Sequence, residues 1–483
     1  MGTVFGHPFH RSTQPKRAPL LLATILLTFT TLTGCAPKIG DEPPRFAFAR
    51  AWATPAPGAP RLMDNSRWWQ AFKDPTLDRI VALALTDSPN LAAAVLRANA
   101  ARAQAIDAGP FSASAGIAGT SGGIIGASPT QQVSTDLSLE LLFDPGRGRA
   151  AQRAGAAADL ARAQAAAAGA RLFLVAQITD TYLGLRHAER SLSLAKAEAA
   201  RGRKTLELTQ TLGSAGEATR LDALRSQARN ASIETGLPSL EAAVARKHAE
   251  LAVLAGYSPG TLPADLGAAL SKPQPQPRAT LAPDPGLPAD LVRNRPDLQV
   301  AEANYDAARA GLGRARAALY PRLALSGTIE ARQNSAGGSA SEFSLGPSLR
   351  LPVLPQTSAK AGVDAATALV TAAYADWRSA VLQALLEVEI ALLDYRAAAA
   401  SEASADRAVR LYSETTELMR ESVLKGEATL GELIATQDAL ATAERTQADA
   451  RLARARAFST LNLRLGAGAR ASAPSPAAVV KAP

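Results

Sequence analysis

The feature that most constrains this 483-residue chain is an internal repeat. The tetrapeptide GEAT occurs at Gly216–Thr219 and, 210 residues later, at Gly426–Thr429. Other matches recur at the same offset: Ser138-Leu139-x-Leu141 as Ser348-Leu349-x-Leu351, and Leu183 with Arg186 as Leu393 with Arg396. Self-similarity at one offset over separate stretches predicts two copies of a single structural unit.

The N-terminal stretch has the parts of a bacterial export signal. A basic segment at 11–17 precedes an apolar run that ends at Leu32-Thr33-Gly34-Cys35. This ending resembles the lipobox, in which the cysteine becomes the first mature residue and is lipidated. We therefore expect a lipoprotein signal peptide at 1–34 and a covalent lipid on Cys35, with an ordinary signal peptide as the alternative. Ala36, rather than aspartate, follows the cysteine and indicates the outer membrane.

Each repeat contains two segments in which apolar residues alternate with small or polar ones. They predict strands at about 111–120 and 132–143 in the first repeat, and at about 321–331 and 342–353 in the second. Alternating segments of about ten residues are typical of transmembrane barrel strands, which have one face toward lipid and one toward water. A half-buried hairpin of a soluble protein would show the same pattern.

Long helices are the second element of each repeat. No proline interrupts 147–212 or 356–424, and at about 1.5 Å per residue either run can reach on the order of 100 Å. The second run carries a coiled-coil seam of residues spaced by three or four. The seam consists of Val363, Ala366, Val370, Ala373, Trp377, Val381, Leu385, Val388, Leu392 and Tyr395.

The GEAT corners lie at the ends of these runs that are remote from the strands. Both corners have a glycine that can end a helix in the left-handed conformation, a threonine that can cap the return helix, and an acid three residues later. These residues are Gly216, Thr219 and Asp222 in the first corner, and Gly426, Thr429 and Glu432 in the second. The spacing predicts a capping box at each corner.

These patterns divide the chain into six predicted segments. In order they are a signal peptide (1–34), a lipidated extended segment (35–75), repeat 1 (76–255), a proline-rich equatorial linker (256–288), repeat 2 (289–466) and a disordered tail (467–483). The predicted fold class is mainly α with a transmembrane β-barrel portion, built from two structural repeats and four strands per chain.

Four strands cannot close a barrel, and open sheet edges are not tolerated in lipid. If the strands span a membrane, several chains must therefore assemble. Two chains would give eight strands and a lumen filled by side chains, whereas three would give twelve strands and an open lumen.

The stretch 287–330 carries a specific set of motifs. Its distinctive residues are Arg295-Pro296-Asp297, Ala301-Glu302 and Tyr320-Pro321. Pro296 suits a first helical turn, Asp297 favours the dipole of that helix, and Pro321 stops the helix before the next strand. This stretch resembles the signature of outer membrane efflux proteins, the TolC-like outer membrane factors, and in particular their NodT-type lipoproteins.

The resemblance covers essentially the whole chain after Cys35 and implies an architecture and a function. It implies a homotrimer with a twelve-stranded barrel in the outer membrane and a long α-helical coiled-coil tunnel in the periplasm. The channel would export passively, without a cofactor other than the lipid on Cys35. Its partners would be a periplasmic adaptor protein, an inner-membrane efflux transporter and outer membrane lipid.

The resemblance also implies a role for the corner acids. Asp222 and Glu432 occupy the place of acidic residues that ring a periplasmic gate in this family, although the capping role alone remains the alternative. The chain departs from tightly latched members, which have a tyrosine and an arginine where Val423 and Ala428 stand here. We therefore expect a different or looser closure.

Other classes of function fit the sequence less well. The formal charge of +9 is interleaved with acids along helices, which argues against a nucleic-acid partner. His187 and His248 stand on predicted helices without metal-ligand spacing, and no phosphate loop or nucleophile elbow occurs, so an enzyme is not expected. A periplasmic adaptor or a structural coiled-coil lipoprotein that does not span the membrane remains the alternative.

Overall fold

The computed structural model describes residues 46–54, 66–106, 111–122, 130–144, 147–214, 218–279, 285–334, 339–351 and 357–469. The signal peptide, Cys35, Gly216 and most of the predicted tail lie outside these residues. In chain order the elements are α1 (Pro75–Asp87), α2 (Pro89–Gln104), β1 (Phe111–Gly122), β2 (Thr130–Phe143), α3 (Gly148–Ser214), α4 (Arg220–Leu254), α5 (Ala264–Ser271), α6 (Leu291–Asn294), α7 (Pro296–Ala317), β3 (Arg322–Asn334), β4 (Ser339–Arg350), α8 (Thr357–Leu424) and α9 (Leu430–Arg464).

The helices repeat the symmetry of the sequence. In the first repeat α3 has 67 residues and α4 has 35, and in the second α8 has 68 and α9 has 35. The linker predicted at 256–288 contains the short helix α5, whose Leu266 and Leu270 are buried. Each repeat therefore supplies one long helical hairpin.

In space the chain divides into two compact units that differ from the two repeats. The strand unit includes the described residues of 107–155 and 308–370, and the helical unit those of 44–106, 156–307 and 371–469. Each repeat contributes two strands to the first unit and one hairpin to the second. The sequence repeats are thus interleaved in both units.

The strand unit is built on a four-stranded antiparallel sheet with the order β1-β2-β3-β4. Leu139 of β2 lies opposite Ala113 of β1 and Gly327 of β3. Every strand end lies within three residues of its predicted position, because the alternation that predicted the strands continues to their ends.

The helical unit has two main apolar clusters. The first joins α1 and the aromatic residues of Trp68–Phe72 to the middle of α3, the end of α4, α5 and Phe458 of α9. The second joins one face of α8 to α6, the start of α7 and the end of α9. Of the seven residues of the predicted α8 seam that lie in this unit, five are buried and two half-buried, so this part of the seam does face protein.

Among the described helices, none is by itself long and apolar enough to cross a membrane. Within the part of the chain that the structure describes, one pair of helices, α1 and α2, bent by 45° at the break between them, passes the same test by length and composition.

Candidate functional site

One face of the sheet in the strand unit is apolar and uncovered. Residues directly opposite each other on antiparallel strands point to the same face, so the register places the apolar side chains of all four strands together. Eleven of them are 41–82% exposed: Ile117, Val133, Leu137, Leu139, Leu141, Phe143, Leu325, Ile329, Phe343, Leu345 and Leu349. A contiguous exposed apolar surface of this extent marks contact with lipid or with another protein.

The opposite face of the same sheet is polar. Asp136 lies opposite Glu330, and Glu330 opposite Glu342, so three carboxylates form a row across β2, β3 and β4. Arg332 donates to both oxygens of Glu330 at 2.7 Å. Neighbouring carboxylates repel each other unless water or cations surround them, so this face requires an aqueous environment.

The two outer strands leave the sheet open. β1 pairs with β2 and β4 with β3, and within the described residues neither has a second neighbour. Unpaired backbone groups at such an edge are satisfied by water or by the strand of another chain. In a lipid environment only the second possibility is available.

The corner of the second hairpin has the capping geometry that the sequence predicted. Gly426 adopts a φ of 75°, in the left-handed region, two residues after α8 ends. The Glu432 backbone N–H donates to Thr429 Oγ1 at 3.3 Å, and the Thr429 backbone N–H donates to Glu432 Oε2 at 2.8 Å. The hydrogen bonds from the Thr429 backbone and side chain lower the pKa of Glu432.

The corner of the first hairpin repeats this geometry in its described part. The Asp222 backbone N–H donates to Thr219 Oγ1 at 3.2 Å, and the Thr219 backbone N–H donates to Asp222 Oδ2 at 3.1 Å. Hydrogen bonds from the Thr219 hydroxyl and backbone lower the pKa of Asp222. Both corner acids are therefore ionised at neutral pH while they cap their helices.

The two corners share an apolar cluster, which we call the tip cluster. Its buried members are Val423, Leu430 and Leu433, and its partly buried members are Leu208, Leu212, Ala218, Met419 and Ala428. Val423 and Ala428, the positions at which a tyrosine and an arginine would form a latch, thus take part in apolar packing between the hairpins.

Polar contacts that the sequence did not predict join the hairpins behind the tip cluster. Arg229 of α4 donates to Asp438 of α9 at 2.6 Å. Arg201 of α3 pairs with Glu444 of α9 at 2.7 Å. Residues more than 200 positions apart form both pairs, and no local pattern connects them. Their spacing in the sequence therefore gave no signal.

The residues of the 287–330 motif build a structural junction. Arg295 is buried and donates to both Asp297 oxygens, at 3.0 and 2.6 Å, to Glu387 of α8 at 2.8 Å, and to the Arg464 carbonyl at 3.1 Å. Burial alone would raise the pKa of Asp297, but its bonds to Arg295 lower it. The motif thus joins the start of α7 to α8 and to the end of α9.

The remaining motif residues lie on or beside α7. Pro296 is the first residue of α7, and Pro321 directly precedes β3, the positions that the sequence predicted. Glu302 lies on α7, and desolvation by the surrounding protein, reinforced by the neighbouring Asp306 carboxylate, raises its pKa. These three residues do not meet the corner acids in any described contact.

A second buried network, also missed by sequence reasoning, surrounds Arg186 of α3. Arg186 is fully buried and donates to both oxygens of Glu189, at 2.9 and 2.7 Å. It also donates to the Tyr182 hydroxyl at 3.0 Å, while Tyr182 donates to Asp74 at 2.5 Å. Asp74 in turn caps α1. Through the Leu270 and Lys272 carbonyls, Arg186 also holds the end of α5.

Within the described residues no group of three or more His, Cys, Asp or Glu could hold a metal ion. His187 contacts Asp449 at 3.3 Å, and burial lowers the pKa of His248. Neither histidine lies at the corners or on the sheet.

Comparison with known proteins gives a consistent result. The family model described as outer membrane efflux protein matches residues 287–467. The chain is 31% identical to nodulation protein T of Rhizobium leguminosarum bv. trifolii over 396 residues, which are 79% of this chain and 84% of that protein. It is 27% identical to the pyoverdine export outer membrane protein OpmQ of Pseudomonas putida, with 92% of this chain and 96% of OpmQ covered.

Comparison with solved structures gives the same result as comparison with these relatives. The outer-membrane channel OprN superimposes with a TM-score of 0.78 at 28% identity, covering 90% of this chain and all of OprN. VceC of Vibrio cholerae has the same fold, with a TM-score of 0.71 at 23% identity and coverage of 84% of this chain and 99% of VceC.

Proposed function

Because this chain belongs to the outer membrane efflux protein family, we propose that three copies of it form one channel with a twelve-stranded barrel. The chain is an outer membrane channel component of a tripartite efflux system, and it extends into the periplasm. It is a passive channel and not an enzyme.

The observation that carries the proposed assembly is the four-stranded sheet, which has one apolar face, one polar face and two open edges. Three such sheets joined edge to edge would satisfy every edge in the bilayer. Twelve strands would also leave a lumen, with the carboxylate row of each chain facing water. Eight strands would leave room only for side chains.

The assembly is tested by the migration of the purified protein in detergent gels. We expect a trimer band that converts to a monomer band only on heating, because a closed barrel resists detergent. An adaptor or a structural lipoprotein that does not span the membrane would migrate as a monomer before and after heating. Mass spectrometry of the N-terminal peptide from the same preparation tests the proposed lipid on Cys35.

We further propose that each trimer contacts a periplasmic adaptor and an inner-membrane efflux transporter. The corners supply the periplasmic gate in this proposal, with Asp222 and Glu432 at its constriction. Hydrogen bonds from Thr219 and Thr429 lower the pKa of both acids, so both stay charged over the neutral range. Their capping contribution is likewise present at neutral pH and is lost as the pH falls through the lowered values.

The gate proposal predicts that Asp222→Ala together with Glu432→Ala raises leak conductance in planar bilayers. In this proposal the six carboxylates of a trimer hold the constriction closed through the cations that they bind between them, so removing the carboxylates loosens its closure. The matched control is Thr219→Ala with Thr429→Ala, which weakens the same caps but keeps the acids. Equal conductance in wild type and the acid variant, or an equal rise in both variants, would leave the acids a capping role only.

A further inference from the structure

A buried hydroxyl–amide pair joins the two hairpins within the chain. Gln437 of α9 donates from Nε2 to Oγ1 of Thr205 on α3 at 3.1 Å, and both side chains are buried. Thr205 also donates to the Arg201 carbonyl of its own helix, at 3.1 Å. A buried polar pair of this kind fixes the register of two helices, because any slip leaves two polar groups without partners.

The repeat contains both members of this pair a second time. Thr415 of α8 follows Thr205 by 210 residues, and Gln227 of α4 precedes Gln437 by 210. Thr415 makes the same bond to its own helix, to the Leu411 carbonyl at 2.8 Å. Yet both Thr415 and Gln227 are exposed. The chain thus has two copies of the pair and brings only one of them together.

The surfaces around the second pair are those of an uncovered helix interface. Leu411 and Leu418 flank Thr415 at spacings of four and three and are 65% and 59% exposed. On α4, Leu221 and Leu224 precede Gln227 and are 53% and 52% exposed. In the first repeat the counterparts of Leu411 and Leu418 are Arg201, which pairs with α9, and Leu208, which belongs to the tip cluster.

The two uncovered surfaces also complement each other in charge. The last turns of α8, over 411–424, contain three glutamates and one arginine. The first turns of α4, over 220–229, contain Arg220 and Arg225 besides Arg229, which already pairs with Asp438 of the same chain, and one aspartate. A net acidic segment on one helix and a net basic segment on the other favour their approach and oppose self-pairing of either helix.

We propose that α8 of one copy packs on α4 of the next copy and that Thr415 and Gln227 form, between copies, the bond that Thr205 and Gln437 form within one. This inference rests on the proposed assembly and specifies its contact. The contact is head-to-tail, so it leaves α4 of the first copy and α8 of the last free until a ring closes. In-chain and between-chain contacts of the same kind then alternate around the ring.

Thiol crosslinking of the full-length chain tests this contact. Thr415→Cys with Gln227→Cys, treated with a short bismaleimide, is expected to give covalent dimers and trimers on a denaturing gel. Thr205→Cys with Gln437→Cys should stay a monomer on the gel but gain the mass of one bismaleimide with both introduced thiols consumed, which shows that the reagent spans this geometry. Ser413→Cys with Gln227→Cys is the matched control, because residue 413 lies on the opposite side of α8. All variants keep Cys35, and each single cysteine variant must remain monomeric on the denaturing gel.

The outcomes separate this inference from the assembly itself. Covalent oligomers from the 227/415 variant, and not from the 227/413 variant, support the proposed contact. A preparation that is trimeric by light scattering but gives no covalent oligomer overturns the contact and leaves the trimer standing. A preparation that is monomeric by light scattering overturns both.

Discussion

Leu139→Arg is expected to abolish channel assembly in the outer membrane, whereas Ser138→Arg is expected to preserve it. Leu139 points to the apolar face of the sheet and Ser138 to the polar face, at adjacent positions of β2. An arginine on the lipid face costs up to about 2–4 kcal/mol per chain, the value reached at the bilayer midplane, and a trimer would bear that cost three times. An arginine on the water side bears no such cost.

The measurement is the amount of heat-modifiable trimer in outer membrane fractions. The Ser138→Arg variant controls for loss of strand propensity and for the added charge, because both variants carry the same residue in the same strand. Equal amounts of trimer in the two variants would show that the apolar face does not contact lipid. Loss of trimer in Ser138→Arg alone would reverse the assignment of the faces.

Arg186→Met is expected to produce the largest loss of stability among single substitutions in the helical unit. The guanidinium is fully buried and compensates the negative charge of Glu189. It also lies beside the hydrogen bond between Tyr182 and Asp74. Removing one partner of a buried ion pair costs about 3–5 kcal/mol, because the other charge stays buried without compensation. We expect a lower urea midpoint and easier proteolysis around α1 and α5.

Arg396→Met is the matched control for this prediction. Arg396 follows Arg186 by 210 residues in the repeat, but its side chain is exposed. The same substitution there should change the urea midpoint little, since exposed positions away from special contacts are near neutral. Equal effects at the two positions would contradict the role given to the Arg186 network.

The parts of the fold that sequence reasoning predicted correctly are those that local pattern determines. The four strands follow from period-two alternation, and the corner caps follow from threonine with an acid three residues later. Pro296 is the first residue of α7, and Pro321 is the residue before β3. Both positions could be predicted locally, because proline has a fixed φ and no N–H. None of these predictions requires knowledge of distant partners.

The parts that could not be predicted depend on partners that are remote in sequence. Arg295 was visible as a motif residue, but Glu387 and the Arg464 carbonyl are needed to explain its burial. Arg186 and Arg396 occupy the same position of the repeat and have opposite environments. A repeat predicts equal local structure, whereas the neighbours of each copy differ: Arg186 is covered by the end of α5 and by Tyr182 and Glu189 of its own helix, and Arg396 is exposed.

The corners illustrate how the two copies divide their roles. Both corners have the same threonine–acid cap, so each return helix begins in the same way. The second corner then packs Val423 and Leu433 against Leu208 and Leu212 of the first hairpin. Apolar contact, together with the Arg229–Asp438 pair, holds these hairpins together where a tyrosine–arginine latch is absent.

Single-channel recording with a charged thiol reagent tests the central claim, that the polar face of the sheet lines a water-filled pore. Ser138→Cys and Leu139→Cys are reconstituted in planar bilayers and exposed to a cationic, membrane-impermeant methanethiosulfonate. The proposed channel predicts a stepwise fall in conductance for Ser138→Cys, because the added group occupies the lumen, and no change for Leu139→Cys or for the wild type with its single Cys35. Unchanged conductance in the Ser138→Cys channel, with block in the Leu139→Cys channel, would contradict it.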